Sequence, residues 1–417
     1  MHAPLGLHTT GNRLSITGQL GTKDFRRVLA AMHNLTHGQG YQDLELDFSS
    51  CTAAYGGPIL AIAAQTKRYQ IGGLDVDLLL PKDERLNRLF LNANWANLID
   101  PRRYDPGTYR GYEQIPVMQF RTGQDQHESV TLVTEKILSA LSSFDRNHLK
   151  AIEWSLNEIT DNVINHAQSP IGGLVQITNF RREQKVIEFC VCDAGIGIPA
   201  SLRGSHIEIR SDHEALDKAI REGVTRDKRV GQGNGLYGSW RITQISGGSF
   251  EIHAGNASLS SWPDTLHIRP EPIPVIGTLV VTRISYGKAL SLEEALKFGG
   301  KPHEPVDHVE ITYEENEEGL LVFPLARETQ GFGSRVAGMP LRRKLKNLFR
   351  ICDGKRISID FSDVPIISSS FADEVFGKLF AELGPLQFMR AFEFKKVDST
   401  IQGLINRAIE QRAKVGL

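Results

Sequence analysis

The segment "LNEITDNVINHA" carries polar side chains at the spacing of one helix face. Glu158, Asn162 and His166 are each four residues apart, so in a helix they stack on the same side. A carboxylate can activate a water or a hydroxyl group, and a carboxamide one turn away can offer its oxygen to a magnesium ion that bridges phosphates. A solvent-facing polar stripe has the same spacing, so this segment alone leaves both interpretations open.

A carboxylate at the end of an apolar run is the second feature. In "FCVCDAGIGIP" an apolar strand pattern ends at Asp193, and Gly195 and Gly197 follow it. Such a carboxylate can accept a hydrogen bond from an exocyclic amine, and glycines beside it let a flat ring lie against the backbone. A turn capped by an aspartate is the alternative interpretation.

Glycines crowd the stretch "RVGQGNGLYGSW", at positions 231, 233, 235 and 238. Large apolar side chains stand among them, which distinguishes the stretch from a flexible glycine–serine linker. The G-x-G-x-x-G pattern lacks the preceding apolar strand of a dinucleotide-binding turn, and the chain contains no G-K-[ST] triplet of a Walker-A loop. The cluster therefore indicates backbone geometry that only glycine permits, such as a loop whose amides approach an anion.

The surrounding sequence predicts an α/β chain in three blocks that would position these segments. Residues 1–115 alternate strand and helix patterns, as in a small α/β layer domain. Residues 118–290 begin with helical patterns, and strand patterns then alternate with the polar and glycine-rich stretches. The polar segment "SLEEALKFGGKPHEPVDH" separates this block from the third, residues 305–417, which loosely repeats the plan of the first.

The composition is ordinary for a soluble globular protein and argues against several classes. The 417 residues are 40% hydrophobic and 23% charged, and the formal net charge of -1 favours neither nucleic acid nor an anionic membrane as a partner. The start of the chain has no signal-peptide pattern, and the apolar runs fall short of the roughly 20 residues of a membrane span. Four scattered cysteines predict neither a disulfide framework nor a zinc site. We therefore expect a cytoplasmic protein.

Together, in this order and at these separations, the motifs resemble those of the GHKL (Bergerat-fold) ATP-binding superfamily, which includes gyrase-type topoisomerases, sensor histidine kinases and anti-sigma-factor kinases. "NEITDNVINHA" resembles its N-box, "DAGIGIP" its first glycine box, "GQGNGLYG" its second and "GTLVVTRI" its closing strand. The resemblance covers residues 118–290. It implies an α+β sandwich in which helices cover a mixed sheet.

The resemblance implies that the ligands are ATP and Mg²⁺, and it gives each matching residue a role. Asp193 would hydrogen-bond the adenine amine, with Gly195 and Gly197 beside the ring. Asn162 would ligate Mg²⁺ bound to the phosphates. Glu158 would act as the general base or position the attacking water.

The second glycine box would form the lid on the phosphate side, with backbone amides that donate to phosphate oxygens. Thr278 of the closing strand would complete the site. Lys228 and Arg229 are candidates for phosphate contacts, although a solvated charged loop is the favoured alternative. His166 matches a common end of the N-box, and a packed or capping role is equally open. The residues assigned to the lid are Gly231, Gly233, Gly235 and Leu236.

The outer blocks resemble STAS-type domains, the small α/β modules of anti-sigma-factor antagonists. In each block a strand that ends in Asp-Phe-Ser leads through a short loop to a helix. That family carries a phosphorylatable serine at the helix start, and Ser369 is the closest match in the second copy. The first copy has Tyr55, Gly56 and Gly57 there, so it would be structural or bind a partner. Helix capping by the serines is the alternative for the second copy.

The resemblance implies an ATP-operated regulatory protein and leaves three functions open. The first is a slow Mg²⁺-dependent ATPase that works as a nucleotide-controlled conformational switch, with Glu158 as base. The second is a serine/threonine protein kinase of the anti-sigma-factor type, acting on Ser369 or on another protein. The third is a nucleotide sensor without catalysis. Other proteins would bind through the STAS-like domains, a homodimer stays open, and neither membrane nor nucleic acid is expected as a partner.

Overall fold

The computed structural model describes residues 3–107, 114–140, 144–180, 185–205, 208–224, 233–314, 320–329 and 331–415. Helices and strands are both abundant, which confirms the predicted α/β class. The chain divides into two compact units, one formed by residues 1–130 and 151–304 and the other by residues 131–150 and 305–417. The division into three domains, at residues 115–118 and 290–305, stays a prediction.

The first unit begins with a mixed sheet and its helices. These elements are β1 (Gly6–Thr10), β2 (Arg13–Leu20), α1 (Phe25–His33), the π-helical turn Asn34–Gly38, β3 (Asp43–Asp47), β4 (Cys51–Ala54), α2 (Gly56–Ile71), β5 (Asp75–Leu79), α3 (Glu84–Asn92) and α4 (Trp95–Ile99). The strands pair in the order β1-β2-β3-β5, with β4 also on β2, and only the β1–β2 pair is antiparallel among these. In β2, Leu14, Ile16, Gly18 and Leu20 are buried while Ser15, Thr17 and Gln19 are partly exposed, as a one-sided strand requires.

The same unit contains a second, antiparallel sheet. Its elements are β6 (Gln114–Phe120), α5 (Gly123–Ala140), α6 (Arg146–Asn162), the π-helical turn Val163–Ala167, β7 (Gly173–Phe180), β8 (Val186–Asp193), α7 (Gly197–Arg203), α8 (Asp212–Ala219), α9 (Gly235–Ser246), β9 (Ser249–Trp262) and β10 (Thr265–Ser285). Residues of α5 and α6 belong in part to the second unit. The strand order is β6-β7-β8-β10-β9, and all four pairings are antiparallel. The prediction of a mixed sheet here is therefore wrong, because β7–β8 and β9–β10 are joined by connections too short for a parallel crossover.

Helices α1 and α2 pack against this antiparallel sheet. The buried guanidinium of Arg26 donates to three of its carbonyl oxygens, those of Gly255 at 2.9 Å, Ala257 at 2.7 Å and Ile273 at 2.5 Å. Apolar side chains of both sheets belong to one continuous core. A Cβ added at Gly57 would lie 3.0 Å from Cγ2 of Val281 on β10, so the start of α2 sits directly on the sheet.

The segment after β10 also belongs to the first unit. It forms α10 (Leu292–Ala295), β11 (Lys297–Phe298) and β12 (Lys301–Pro302), and the last two pair as a hairpin. We call residues 291–303 the strap. Leu296 is fully buried, which explains why this polar segment folds rather than acting only as the separator that its composition predicted.

The second unit carries a parallel sheet in the order β13-β14-β15. Its elements, besides residues of α5 and α6, are α11 (His308–Tyr313), β13 (Leu321–Pro324), α12 (Leu325–Glu328), α13 (Arg335–Ile351), β14 (Ile357–Asp360), α14 (Ser369–Ala372), the π-helical turn Asp373–Gly377, α15 (Lys378–Leu383), α16 (Pro385–Ala391), β15 (Phe392–Lys395) and α17 (Ser399–Val415). The ammonium of Lys344, 2% exposed, pairs with the carboxylates of Glu135 and Glu328. The hydroxyl of Tyr313 donates to the same two carboxylates.

Candidate functional site

A cavity of about 380 Å³ opens beside α6 in the first unit. Eight of the predicted site residues line it: Glu158, Asn162, Asp193, Gly197, Gly233, Gly235, Leu236 and Thr278. His166, which sequence reasoning left open between two roles, lines it as well. Segments far apart in the chain thus meet around one space large enough for a small-molecule ligand.

Helix α6 and the π-helical turn after it supply one wall. Glu158, Asn162 and His166 all line the cavity, so their spacing does place them on one side of the helix. Ile159 and Val163 on this segment are buried, which holds the helix against the core. Burial, followed by the nearby negative charge of Asp161, raises the pKa of Glu158.

Asp193 ends β8 at one end of the cavity and is 3% exposed. Its carboxylate accepts a hydrogen bond from the Gly195 backbone N–H at 2.7 Å and another from that of Thr278. Burial raises the pKa of this carboxyl to about 7, and the two backbone hydrogen bonds oppose that rise. The guanidinium of Arg68 on α2 donates to the carbonyl oxygen of Ala194 at 2.7 Å, which helps to fix the turn that carries the carboxylate.

The glycines near Asp193 are required by close backbone contacts. Gly277 has a φ of +77°, and a Cβ there would collide with the backbone oxygen of Asp193. Gly197 has a φ of +75°, and its Cβ would lie 2.8 Å from the carbonyl oxygen of Gly277. Gly195 does not line the cavity, because it packs against the carbonyl oxygen of Ala167. Its backbone N–H donates to the Asp193 carboxylate, so it helps to hold that side chain in place.

The second glycine cluster places the start of α9 against α6. Gly233 has a φ of +76°, Asn234 is the N-cap residue, and α9 begins at Gly235. A Cβ at Gly235 would collide with the carboxylate of Glu158, and one at Gly238 with the ring of Trp154. The glycines therefore let the N-terminus of a 12-residue helix approach the carboxylate, where backbone N–H groups are available to an anion.

Leu236 packs on the side of the cavity formed by α7 and α8. It contacts a small buried cluster that includes Leu202, Ala215 and Ala219. Gly231, Lys228 and Arg229 lie outside the described residues, so their predicted roles stay predictions. This part of the site is thus built from apolar side chains together with the start of α9.

Sequence reasoning missed several lining residues. Trp154 lines the cavity and lies one helical turn before Glu158. The four-residue spacing between them could have predicted that both lie on the same face of the helix. Asn234 lines the cavity and accepts a hydrogen bond from the Gly223 backbone N–H at 3.0 Å. Phe298 and His303 of the strap line it as well, although their segment was expected to be a separator. The two adjacent glycines in "KFGGK" were a hairpin signal that composition obscured.

Ser369 lies in the second unit and does not line the cavity. Ser368 is the N-cap residue of α14, and its hydroxyl accepts from the Phe371 backbone N–H at 3.0 Å. Ser369 is the first helical residue and is exposed. In the first copy Tyr55 is the corresponding N-cap residue and Gly56 the corresponding first residue. The alignment of the two copies therefore agrees at the helix start.

Comparison with known families finds one match within the chain. Residues 337–402 match the model of a STAS-like domain of unknown function (DUF4325), which agrees with the predicted STAS resemblance of the third block. No curated protein matches the chain. In the part of the chain that the structure describes, no helix is both long and apolar enough to cross a membrane.

Proposed function

We propose that the first unit binds ATP and hydrolyses it slowly with Mg²⁺, and that the nucleotide controls the conformation of a regulatory protein. The observation that carries the proposal is one cavity with a buried carboxylate at Asp193 and a half-buried carboxylate at Glu158 beside a helix N-terminus. The carboxylate of Asp193 suits a purine amine, and the helix N-terminus beside Glu158 suits a phosphate chain.

The Asp193 end fits an adenine ring. Its carboxylate is held by two backbone N–H groups and keeps lone pairs for a donor from the ligand, such as an exocyclic amine. Gly197 lines the cavity with Asp193, and a residue without a side chain there lets a flat ring lie against the backbone. Guanine carries a carbonyl where adenine carries this amine, so the site should discriminate against GTP.

The Asn162 and Glu158 end fits the phosphates and their metal ion. Among the described residues no group of three or more His, Cys, Asp or Glu side chains could hold a metal, so the ion would depend on the nucleotide for its ligands. The carboxamide oxygen of Asn162 would be the ligand from the protein. Bound Mg²⁺ would neutralise phosphate charge during transfer.

Glu158 would take the proton in the hydrolytic step. A water oxygen bonds to the terminal phosphorus, the bond from that phosphorus to its bridging oxygen breaks, and the products are ADP and inorganic phosphate. The water proton passes to the Glu158 carboxylate and then to solvent. Because burial raises the pKa of Glu158, the carboxylate is a stronger base than an exposed glutamate, although less of it is ionised.

Transfer to a protein serine is the second candidate function, and one observation favours it. Ser368 caps α14, so the exposed hydroxyl of Ser369 is not needed for capping. Ser369 lies within the STAS-like match, and the resemblance to STAS-type domains implies a phosphorylatable serine at this helix start. The STAS-like domain would also supply the surface through which the protein meets its partners.

Hydrolysis and transfer are separated by following the terminal phosphate. Protein is incubated with Mg²⁺ and γ-labelled ATP, beside Glu158→Gln and Ser369→Ala, and free phosphate and protein-bound label are measured separately. We expect the rate of free phosphate release to fall at least about a hundredfold in Glu158→Gln, which is within the range that a general base contributes to a reaction rate. Bound label that disappears in Ser369→Ala would instead establish the kinase. Binding of ATP without free phosphate or bound label would favour the third function, a nucleotide sensor without catalysis.

A further inference from the structure

The strap is a built element on the wall of the cavity. Ser291 caps α10 by accepting from the Glu294 backbone N–H at 3.4 Å, and Leu292, Ala295 and Leu296 are buried. The two residues of the hairpin turn, Gly299 and Gly300, have φ values of +56° and +78°, as a tight β-hairpin turn requires. The His303 backbone N–H donates to the carbonyl oxygen of Leu296 at 2.7 Å, which brings the chain back to the cavity.

The strap lies at the end of the cavity away from Asp193. Along α6 and its π-helical turn, Ala167 marks the Asp193 end, because its carbonyl oxygen contacts Gly195. Trp154 is thirteen residues earlier, which corresponds to roughly 20 Å along a helix. Phe298 and His303 contact Trp154, so they lie beyond Glu158 as seen from Asp193.

The exposed imidazole of His303 lies beside two aromatic rings. The ring of Phe298 stacks on Trp154 with centroids 6.2 Å apart and an interplanar angle of 28°. The imidazole of His303 lies 5.8 Å from Phe298 and 6.3 Å from Trp154, and it lines the cavity. An imidazole N–H supported in this way can donate to an anionic oxygen.

The hairpin is also tied to the segment beside the second glycine cluster. The Gly299 backbone N–H donates to the carboxylate of Glu222, two residues before Val224. Val224 lines the cavity, and a Cβ at Gly233 would lie 2.5 Å from its backbone carbon. Strap and glycine cluster therefore meet at the same end of the cavity.

We propose that the strap recognises the terminal phosphate of the bound nucleotide and that His303 makes the contact. This inference rests on the proposed function, since it places the nucleotide base at Asp193 and the phosphates toward Glu158. The terminal phosphate is the group that ATP has and ADP lacks. His303 is accordingly a specificity-determining residue that favours the triphosphate over the diphosphate.

The test compares the affinities of ATP and ADP in the full chain. Both are measured with Mg²⁺ for wild type, His303→Ala and His303→Asn, with His267→Ala as a control for loss of an exposed histidine on β10. We expect His303→Ala to weaken ATP binding about tenfold and to leave ADP binding within about twofold, as loss of one hydrogen bond to a charged group predicts. His303→Asn keeps a side-chain donor and should restore part of the preference for ATP.

The outcomes separate failure of this inference from failure of the proposed function. If wild type binds both nucleotides and His303→Ala leaves ATP affinity unchanged, or weakens ATP and ADP equally, the strap does not recognise the terminal phosphate. If wild type binds neither nucleotide, the proposed function is wrong and this inference falls with it. Melting temperatures of the variants close to that of wild type show that the comparison concerns folded protein.

Discussion

The carboxyl group of Asp193 gives the most quantitative prediction, since its burial makes folding depend on pH in a defined direction. Burial raises its pKa from 3.8 to about 7. Between these values the unfolded chain carries the ionised group while the folded protein keeps it protonated. The unfolded state then binds fewer protons, so stability falls as the pH rises through this window.

The size of the effect follows from the distance between the two pKa values. Each pH unit corresponds to about 1.4 kcal/mol, so the full window from pH 3.8 to about 7 is worth about 4 kcal/mol. Asparagine at this position does not titrate. The free energy of unfolding of Asp193→Asn, minus that of wild type, should therefore rise by about 4 kcal/mol between pH 4 and pH 8, on top of a constant offset from altered hydrogen bonding.

Tryptophan fluorescence is a suitable probe for this experiment. All four tryptophans, at positions 95, 154, 240 and 262, lie in the first unit, so urea denaturation followed by their emission reports on the unit that holds Asp193. Asp105→Asn, an exposed aspartate of the same unit, is the matched control. A difference between variant and wild type that changes by less than about 1 kcal/mol across the window would refute the assignment of a buried, poorly solvated carboxyl group.

Three further variants test contacts within a unit, one in the first unit and two in the second. Arg26→Ala should cost about 3 kcal/mol or more in urea denaturation followed by fluorescence, because three carbonyl oxygens lose their buried donor. Arg27→Ala removes an exposed side chain next to it and should cost less than about 0.5 kcal/mol, so equal effects would contradict this expectation. Ser368→Ala should lower the stability of the second unit by about 1 kcal/mol, measured by hydrogen exchange in α14, because it removes the helix cap. Ser369→Ala should lower it by less than about 0.5 kcal/mol. A larger loss in Ser369→Ala than in Ser368→Ala would show that Ser368 is not the cap. Lys344→Met should cost about 3–5 kcal/mol in thermal unfolding followed by circular dichroism, because it removes the buried ammonium that pairs with both carboxylates. An unchanged melting temperature would argue against the ion-pair cluster.

Much of the candidate site could be predicted because its residues belong to locally patterned segments. The four-residue spacing of Glu158 and Asn162 places both on one side of a helix in any fold, and the apolar run before Asp193 predicts a strand with a carboxylate at its end. Glycines at positions 197, 233 and 235 indicated unusual backbone geometry, and the structure shows positive φ at the first two and a close approach to Glu158 at the third. These signals need no knowledge of tertiary packing.

The parts that escaped prediction depend on packing between distant segments. Phe298 and His303 stand in a polar segment without periodicity, and contacts with distant segments, among them the ring of Trp154, bring them to the cavity. In the first copy Gly56 and Gly57 stand where the second copy has serines, and the sequence could not show that this helix start lies against the antiparallel sheet. The pairing of that sheet was likewise not encoded in the pattern of any single strand.

The central claim, that the cavity is an adenine-nucleotide site, is tested most directly by equilibrium binding of ATP and GTP to wild type and to Asp193→Asn. We predict that wild type binds ATP and that it binds GTP at least about tenfold more weakly, because guanine carries a carbonyl where adenine carries the amine that donates to the Asp193 carboxylate. The asparagine variant should lose at least about tenfold in ATP affinity, because its amide replaces the carboxylate that accepts from the adenine amine. No binding of ATP by wild type, or equal binding of ATP by both proteins, would contradict the claim.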